Sequence, residues 1–345
     1  MAREIYRGNA TYCVYADETA FGTGGTPSAS GYFGKVDNVS LDWDNNIIQS
    51  QGIGEGRNVT VATYGNFTAR GSLSGEVIDF TPFRFMVGYL TGAGTSGDPY
   101  ELTESNVLNY TAGVGNGLKT AHLEVGASGD ANNSIFDITG CWFENLSLSG
   151  SQGANLKFST SFSSSYVTKS TAGILTYASP AAAPFVCNNI ALENGSGDAI
   201  NVTDFSWTLE NQADQVYEIG SRFSTYLSLK LRKYTFTYTL LYDYNDAAST
   251  LSAIEMLELF FGTAAANSPI AATATPTAST LRLVIDEGSA SGDRDGSIDL
   301  ENCYFTTWSH PVNLGDGKIS VTLSGFGFAG LTDGAVNVPI RWYTN

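Results

Sequence analysis

The chain has 345 residues, 42% of them hydrophobic and 12% aromatic, which exceeds the size at which one hydrophobic core stops growing and predicts two domains. Seventeen Lys plus Arg against 34 Asp plus Glu leave a net charge of −17, and so acidic a surface repels nucleic acid and anionic lipid, which are bound through Lys and Arg clusters. No apolar run approaches the roughly 18 residues of a membrane span, so sequence-specific DNA binding and membrane insertion are both disfavoured.

Thirty-eight glycines and only 15% charged residues predict short strands and many tight turns. The N-terminus, Met1-Ala-Arg-Glu-Ile-Tyr-Arg-Gly8, has no apolar stretch of the kind a secretory signal needs, which predicts folding in the cytoplasm. Tyr12, Tyr15, Phe21, Tyr32 and Phe33 surround a segment without an evident counterpart later in the chain. It either reaches onto a neighbouring subunit or folds back on its own domain, and the sequence does not choose. Gly22-Thr-Gly-Gly25 and Gly52-Ile-Gly-Glu-Gly56 lack the Lys-Ser/Thr and the strand-then-helix setting of a phosphate cradle and read as flexible loop tips.

The chain then repeats itself. Val36-Asp-Asn-Val-Ser-Leu-Asp-Trp-Asp-Asn45 is echoed by Val202-Thr-Asp-Phe-Ser-Trp-Thr-Leu-Glu-Asn211, each an alternating strand closing on an acidic-Asn pair. A second strand follows in each copy, at Thr68–Val77 and Leu229–Leu241, and then one short helix, predicted over Phe80–Leu90 and Ala247–Phe261 with C-caps at Gly92 and Gly262. The closest match is between Ile135-Phe-Asp-Ile-Thr-Gly-Cys-Trp-Phe-Glu-Asn145 and Ile298-Asp-Leu-Glu-Asn-Cys-Tyr-Phe-Thr-Thr307. It makes Cys141 and Cys303 equivalent core positions. Final alternating strands are predicted at Ala154–Phe162 and Lys318–Phe326. Ser179-Pro-Ala-Ala-Ala-Pro184 has the composition of a linker, so the domains are set at 1–183 and 184–345.

Little in the chain points to catalysis. The two histidines, His122 and His310, occupy non-equivalent positions, which argues against a triad or a His metal site. Asp293, Asp295 and Asp299 resemble part of a calcium loop, but Ser291 and Asn302 stand where carboxylate ligands belong. The plainer reading is a solvated acidic hairpin tip. The carboxylates nominate no glycosidase pair. Cys13, Cys141, Cys187 and Cys303 have no C-x-x-C spacing, and buried thiols are the plainer reading than disulfides or a metal. No cofactor is expected, and the chain reads as an assembly component and not an enzyme.

Pro184-Phe-Val-Cys-Asn-Asn-Ile-Ala-Leu192, Val202–Asn211, Tyr217-Glu-Ile-Gly-Ser-Arg222, Tyr234-Thr-Phe-Thr-Tyr-Thr-Leu240 and Asp299-Leu-Glu-Asn-Cys-Tyr-Phe305 give the second copy its likeness: it resembles the tail tube (major tail) proteins of tailed bacterial and archaeal viruses. The first copy repeats the layout more loosely. The resemblance implies a mainly β chain with one short helix per domain, made of two tandem tail-tube-like β-sandwiches whose inner sheets form a closed β-barrel ring on oligomerisation. It further implies a virion tail protein, assembled in the host cytoplasm, in which three duplicated chains close a pseudo-hexameric ring. The rings would stack into a hollow tube that conducts viral DNA non-specifically. The partners implied are further copies of itself and other tail proteins (tape measure, terminator, baseplate or tip, and a sheath in a contractile tail), with no membrane.

The resemblance also implies a long loop from each domain that reaches the next ring; its counterparts here are Asn45–Gly65 and Asn211–Tyr226, with Ile47, Gln51, Glu55, Arg57, Tyr64, Gln215, Tyr217, Glu218, Arg222 and Tyr226 as the expected contact residues. A tandem β-sandwich adhesin, surface layer or carbohydrate-binding module shares the composition and the repeat, and stays open as the alternative.

Overall fold

The computed structural model describes residues 11–50, 61–103, 120–127, 135–170, 177, 179–242, 250–262, 267–269, 278–311, 319–327 and 340–345. The first half contains β1 (Thr11–Asp17), β2 (Lys35–Asp44), β3 (Ile47–Ser50), β4 (Val61–Tyr64), β5 (Thr68–Glu76), β6 (Tyr89–Thr91), β7 (Tyr100–Thr103), β8 (Ala121–Ala127), β9 (Ile135–Phe143), β10 (Asn145–Ser151), β11 (Lys157–Ser164) and β12 (Tyr166–Ser170). The second contains β13 (Ile190–Asn194), β14 (Ala199–Ile200), β15 (Val202–Tyr217), β16 (Ser224–Leu241), β17 (Thr250–Leu251), helix α1 (Ala253–Phe261), β18 (Ser279–Asp286), β19 (Arg294–Ser309), β20 (Ser320–Gly327) and β21 (Ile340–Thr344).

The pairing of the two main layers of the first half recurs in the second. One layer runs β1-β8-β9-β12 and, correspondingly, β13-β18-β19-β21. The other runs β2-β5-β11-β10 and β15-β16-β20 followed by the C-terminal part of β19. Irregularities recur as well. The β2–β5 ladder shifts register between Val36 and Asn38, and the β15–β16 ladder shifts between Val202 and Asp204, the offset at which the two segments align in sequence. This arrangement gives β1, and with it the N-terminal aromatics, a counterpart in β13 that the sequence comparison does not reveal. Within the described residues the aromatics fold back: Tyr12 and Phe33 are buried, and Tyr15 meets Phe33 edge-on.

The two cysteine strands share one device. Cys141 pairs with Ala121 and Ile138 with Leu123 across a bulge, as Cys303 pairs with Ser279 and Leu300 with Leu281. The residue before each cysteine is left-handed, Gly140 at φ 65° and Asn302 at φ 52°, which suits the extra residue of such a bulge. Each thiol then donates to the carbonyl three residues back, Ile138 or Leu300, at 3.4 Å.

The helices differ from expectation in the first half. Ala253–Phe261 is an α-helix, with Ser252 and Glu255 closing a capping box and Gly262 left-handed at its C-cap. Residues 80–90 instead hold only a 3-10 helix, Thr81–Phe85, followed by strand β6, and Gly92 is not a helix cap. Phe80, Phe83, Phe85 and Met86 are all fully buried, on more sides than one apolar helix face presents, and Pro82 and the left-handed Gly88 (φ 142°) bracket a single turn. Gly22, Gly24 and Gly25 also depart from the loop-tip reading. Gly22 N donates to the buried carboxylate of Glu18, which also accepts from Gly140 N and Thr120 Oγ1, and Gly25 O is bonded to His122 Nδ1. Burial raises the Glu18 pKa against the pull of those donors.

The left-handed bulge is open to test by equilibrium denaturation. Asn302→Gly should leave stability nearly unchanged, whereas Asn302→Val should cost about 1–3 kcal/mol, because a β-branched residue resists positive φ.

Candidate assembly surfaces

β10 pairs antiparallel with β15, in register from Asn145↔Glu210 through Leu148↔Trp207 to Ser151↔Asp204. This joins the halves into one sheet in the order β2-β5-β11-β10-β15-β16-β20-β19. Alternation then gives the sheet two unlike faces. One is core: Leu73, Leu146, Leu148, Phe158, Phe162, Trp207, Leu209, Phe236 and Tyr238 are buried, and Leu148, Trp207 and Tyr238 line a small cavity with Leu281, Ile298 and Leu300 of the overlying layer.

The opposite face is rich in hydroxyls. Ser40, Ser72, Ser74, Ser159, Ser161, Ser147, Ser149, Ser206, Thr208, Thr235, Thr237, Thr322 and Ser324 share it by register. Ser40 and Ser72 share a hydrogen bond at 2.7 Å, and Asn145 Nδ2 donates to Ser161 Oγ at 2.7 Å. Its cations sit opposite carboxylates: Arg70 faces Asp42, Lys157 faces Glu76 and Lys233 faces Glu210. Asp44 and Asp204 lie on the same face opposite Thr68 and Thr239. The face is therefore polar and mildly acidic, without a cationic cluster to hold phosphate.

Two hairpins leave this sheet. β3 and β4 pair from Ile47↔Tyr64 to Ser50↔Val61, and β15 and β16 run on to Tyr217↔Ser224. Their bases touch: Phe67 N donates to Arg222 O at 2.7 Å, the Arg222 guanidinium lies 4.6 Å from the Tyr64 ring centre and donates to Asn45 Oδ1, and Phe67 meets Phe223 edge-on. Of the predicted contact residues, Ile47, Tyr64 and Tyr226 are 54%, 67% and 50% exposed, and Glu218 is exposed. Gln215 and Tyr217 are half-buried and turned inward, Gln215 Nε2 donating to Ser164 O and Tyr217 Oη to Phe67 O. Gln51, Glu55 and Arg57 lie outside the described residues.

Sequence reasoning missed Ile48, Val61, Ile219 and Leu231, which add exposed apolar surface to the same hairpins, and Trp43, exposed on β2. A signal was present in the adjacent pair Ile47-Ile48, which breaks the alternation of a half-buried strand. Also missed was the clamp between halves. Asn211 Nδ2 donates to Met86 O at 2.9 Å while Arg232 reaches Asn211 Oδ1, Met86 O and Val87 O. A second lies at Arg294, paired with Glu287, bonded to Ile78 O and stacked 4.2 Å from the Phe185 ring centre.

The acidic loop does not gather a cation site. Asp299 is buried against Arg282, Asp293 accepts from Ala290 N, and Asp295 accepts from Glu287 N and Asn345 Nδ2. Among the described residues no three His, Cys, Asp or Glu side chains come together to hold a metal ion. His122 sits in β8, with Nδ1 2.9 Å from Gly25 O and Nε2 3.5 Å from Asp137, and His310 packs on Tyr242. All four cysteines are free thiols. Burial pushes Cys13 and Cys303 up to about 12, raises Cys141 well above the usual thiol value, and raises half-buried Cys187.

Residues 8–329 match a family model described as phage tail tube protein. No curated protein matches the chain.

At pH 8 a buried thiol with a pKa near 12 is almost wholly protonated and unreactive. An aromatic disulfide reagent should therefore label Cys187 first and reach Cys13, Cys141 and Cys303 only on unfolding. Fast labelling of Cys141 or Cys303 in the native protein would contradict the packing described.

Proposed function

This chain belongs to the phage tail tube protein family, a family of virus tail structural proteins, and from that premise we propose that three copies close a ring, that rings stack into a hollow tube, and that the tube conducts viral DNA during ejection. The observation that carries the reading is the continuous sheet joined by β10 and β15. Repetition of the pairing scheme supports a tandem duplication of one tube domain, with the boundary near residue 183. One chain then supplies two sixths of a ring.

Barrel geometry supports more than one chain per ring. Eight strands enclose only enough room for side chains, and an aqueous channel needs about 16 or more. The eight strands of one chain's sheet are too few for a DNA channel; those of three chains exceed that threshold. Joining edges around a ring also removes the exposed strand edges on which an isolated sheet would aggregate.

The polar face is the one suited to line the lumen. Hydroxyls and carboxylates exchange hydrogen bonds with water, and cations set opposite carboxylates offer few sites that would displace counterions from DNA. The apolar hairpins, carrying Ile47, Ile48, Val61, Tyr64, Ile219 and Tyr226 at exposed positions, suit the contact between successive rings. Other tail proteins would meet the tube at its ends, and assembly would take place in the host cytoplasm.

Sedimentation and electron microscopy of the purified protein test this. The wild-type chain should form hollow tubes, while Ile47→Ser/Ile48→Ser/Tyr64→Ser should stay folded and lose the long tubes, with at least a tenfold drop in pelletable protein, roughly what about 1.4 kcal/mol lost per contact produces. An intact, folded wild-type chain that remains monomeric at every concentration would overturn the tube and favour a tandem binding module.

A further inference from the structure

The internal joint between β10 and β15 has an unfilled equivalent at the two ends of the same sheet. By the shared bulges, β15 corresponds to β2 with Val202–Asn211 on Val36–Asn45, and the segment from Cys141 to Ser147 corresponds to Cys303–Ser309. β10 and β15 meet inside the chain. Among the described residues β2 pairs only with β5, and the C-terminal part of β19 pairs only with β20.

Exposure follows the same logic. Leu209 is fully buried under β10, whereas its equivalent Trp43 is 40% exposed; Asn211 is buried, whereas Asn45 is exposed. On the other edge Thr307 and Ser309 are exposed, and Trp308, the equivalent of buried Leu146, is only half-buried against Phe260.

We propose that the β19 edge of one copy pairs antiparallel with the β2 edge of the next, in the register of the β10–β15 joint, placing Thr307 opposite Asp44, Trp308 opposite Trp43 and Ser309 opposite Asp42. This rests on the ring reading above and supplies its interface and register. The partner is a second copy of this chain in a head-to-tail contact, the type that generates closed rings. Charge disfavours the alternative in which two β2 edges pair with each other. The segment Tyr304–Ser309 is uncharged, and its hydroxyls face the Asp42 and Asp44 carboxylates, whereas β2 against β2 would set both aspartates of each copy on one seam. Asn211 N donates to Glu144 O at 2.6 Å, so that pair is hydrogen-bonded and the adjacent pair Asn145↔Glu210 is not. By alternation Ser147↔Thr208 is also non-bonded, and so are the equivalent intermolecular pairs Thr307↔Asp44 and Ser309↔Asp42. Cα atoms of such pairs lie about 4.5 Å apart, within the span of a disulfide.

Asp42→Cys/Ser309→Cys in one chain should therefore cross-link between chains under mild oxidation. The control Asp42→Cys/Thr307→Cys, displaced by two residues, should cross-link at least about tenfold more slowly, its diagonal spacing falling outside disulfide range. Tubes that form without the cross-link, equal rates for both pairs, or dimers from Asp42→Cys alone, would overturn the register. Cross-linking without tubes would support the edge pairing and contradict the tube. Neither tubes nor cross-links would contradict both.

Discussion

The antiparallel ladder between Asn145–Ser151 and Asp204–Glu210 is the joint on which the rest of the molecule depends. It joins the two halves into one eight-stranded sheet, and a shorter ladder between β7 and β21 ties them a second time. Leu146, Leu148, Trp207 and Leu209 are buried at the β10–β15 seam, and each such side chain contributes about 1.5–3 kcal/mol on leaving water. The Asn211–Arg232 clamp on the carbonyls of Met86 and Val87 fixes the angle of the second hairpin against the first half. The hydroxyl face is continuous because the ladder is.

Two opposite demands are met on the faces of one sheet. The core face packs aromatic rings, such as Phe33 against Phe143 and Phe158 in the first half and Phe236 against Tyr238 and Phe305 in the second. The other face carries serine and threonine ladders, some hydrogen-bonded across strands, and its cations lie across from carboxylates in register. In the proposed tube that face must let a polyanion pass without holding it. Short hydroxyl side chains serve that better than dense carboxylates, which would add repulsion between neighbouring chains.

Much of this was legible in the sequence because its signals are local. The alternation of Val36–Asn45 and Val202–Asn211 placed two strands, and their alignment gave the offset that the ladders follow. The Cys-aromatic-Phe pattern located the bulged strand, and the apolar periodicity near 251–260 with Gly262 located α1. What was not legible depends on tertiary context. Residues 80–90 have helical spacing, but full burial of Phe80, Phe83 and Phe85 leaves a single 3-10 turn. The glycines at 22–25 read as a free tip, but Gly22 is tied to Glu18, whose other donors, Thr120 and Gly140, lie more than a hundred residues away in sequence. The relation between β1 and β13 carries almost no residue identity. Only their pairing with β8 and β18 reveals it. Gln215 and Tyr217 looked like contact residues from their position, yet their side chains are spent on Ser164 and Phe67.

The central claim is that one chain carries two equivalent ring segments joined edge to edge. Helical reconstruction of the assembled protein by electron cryomicroscopy tests it most directly, by tracing the sheet around one layer. The account predicts three chains per layer and a barrel unbroken from one chain to the next, with the β10–β15 seam alternating with a like seam between chains. A layer of six chains, or one in which only a single half of each chain joins the barrel, would contradict it.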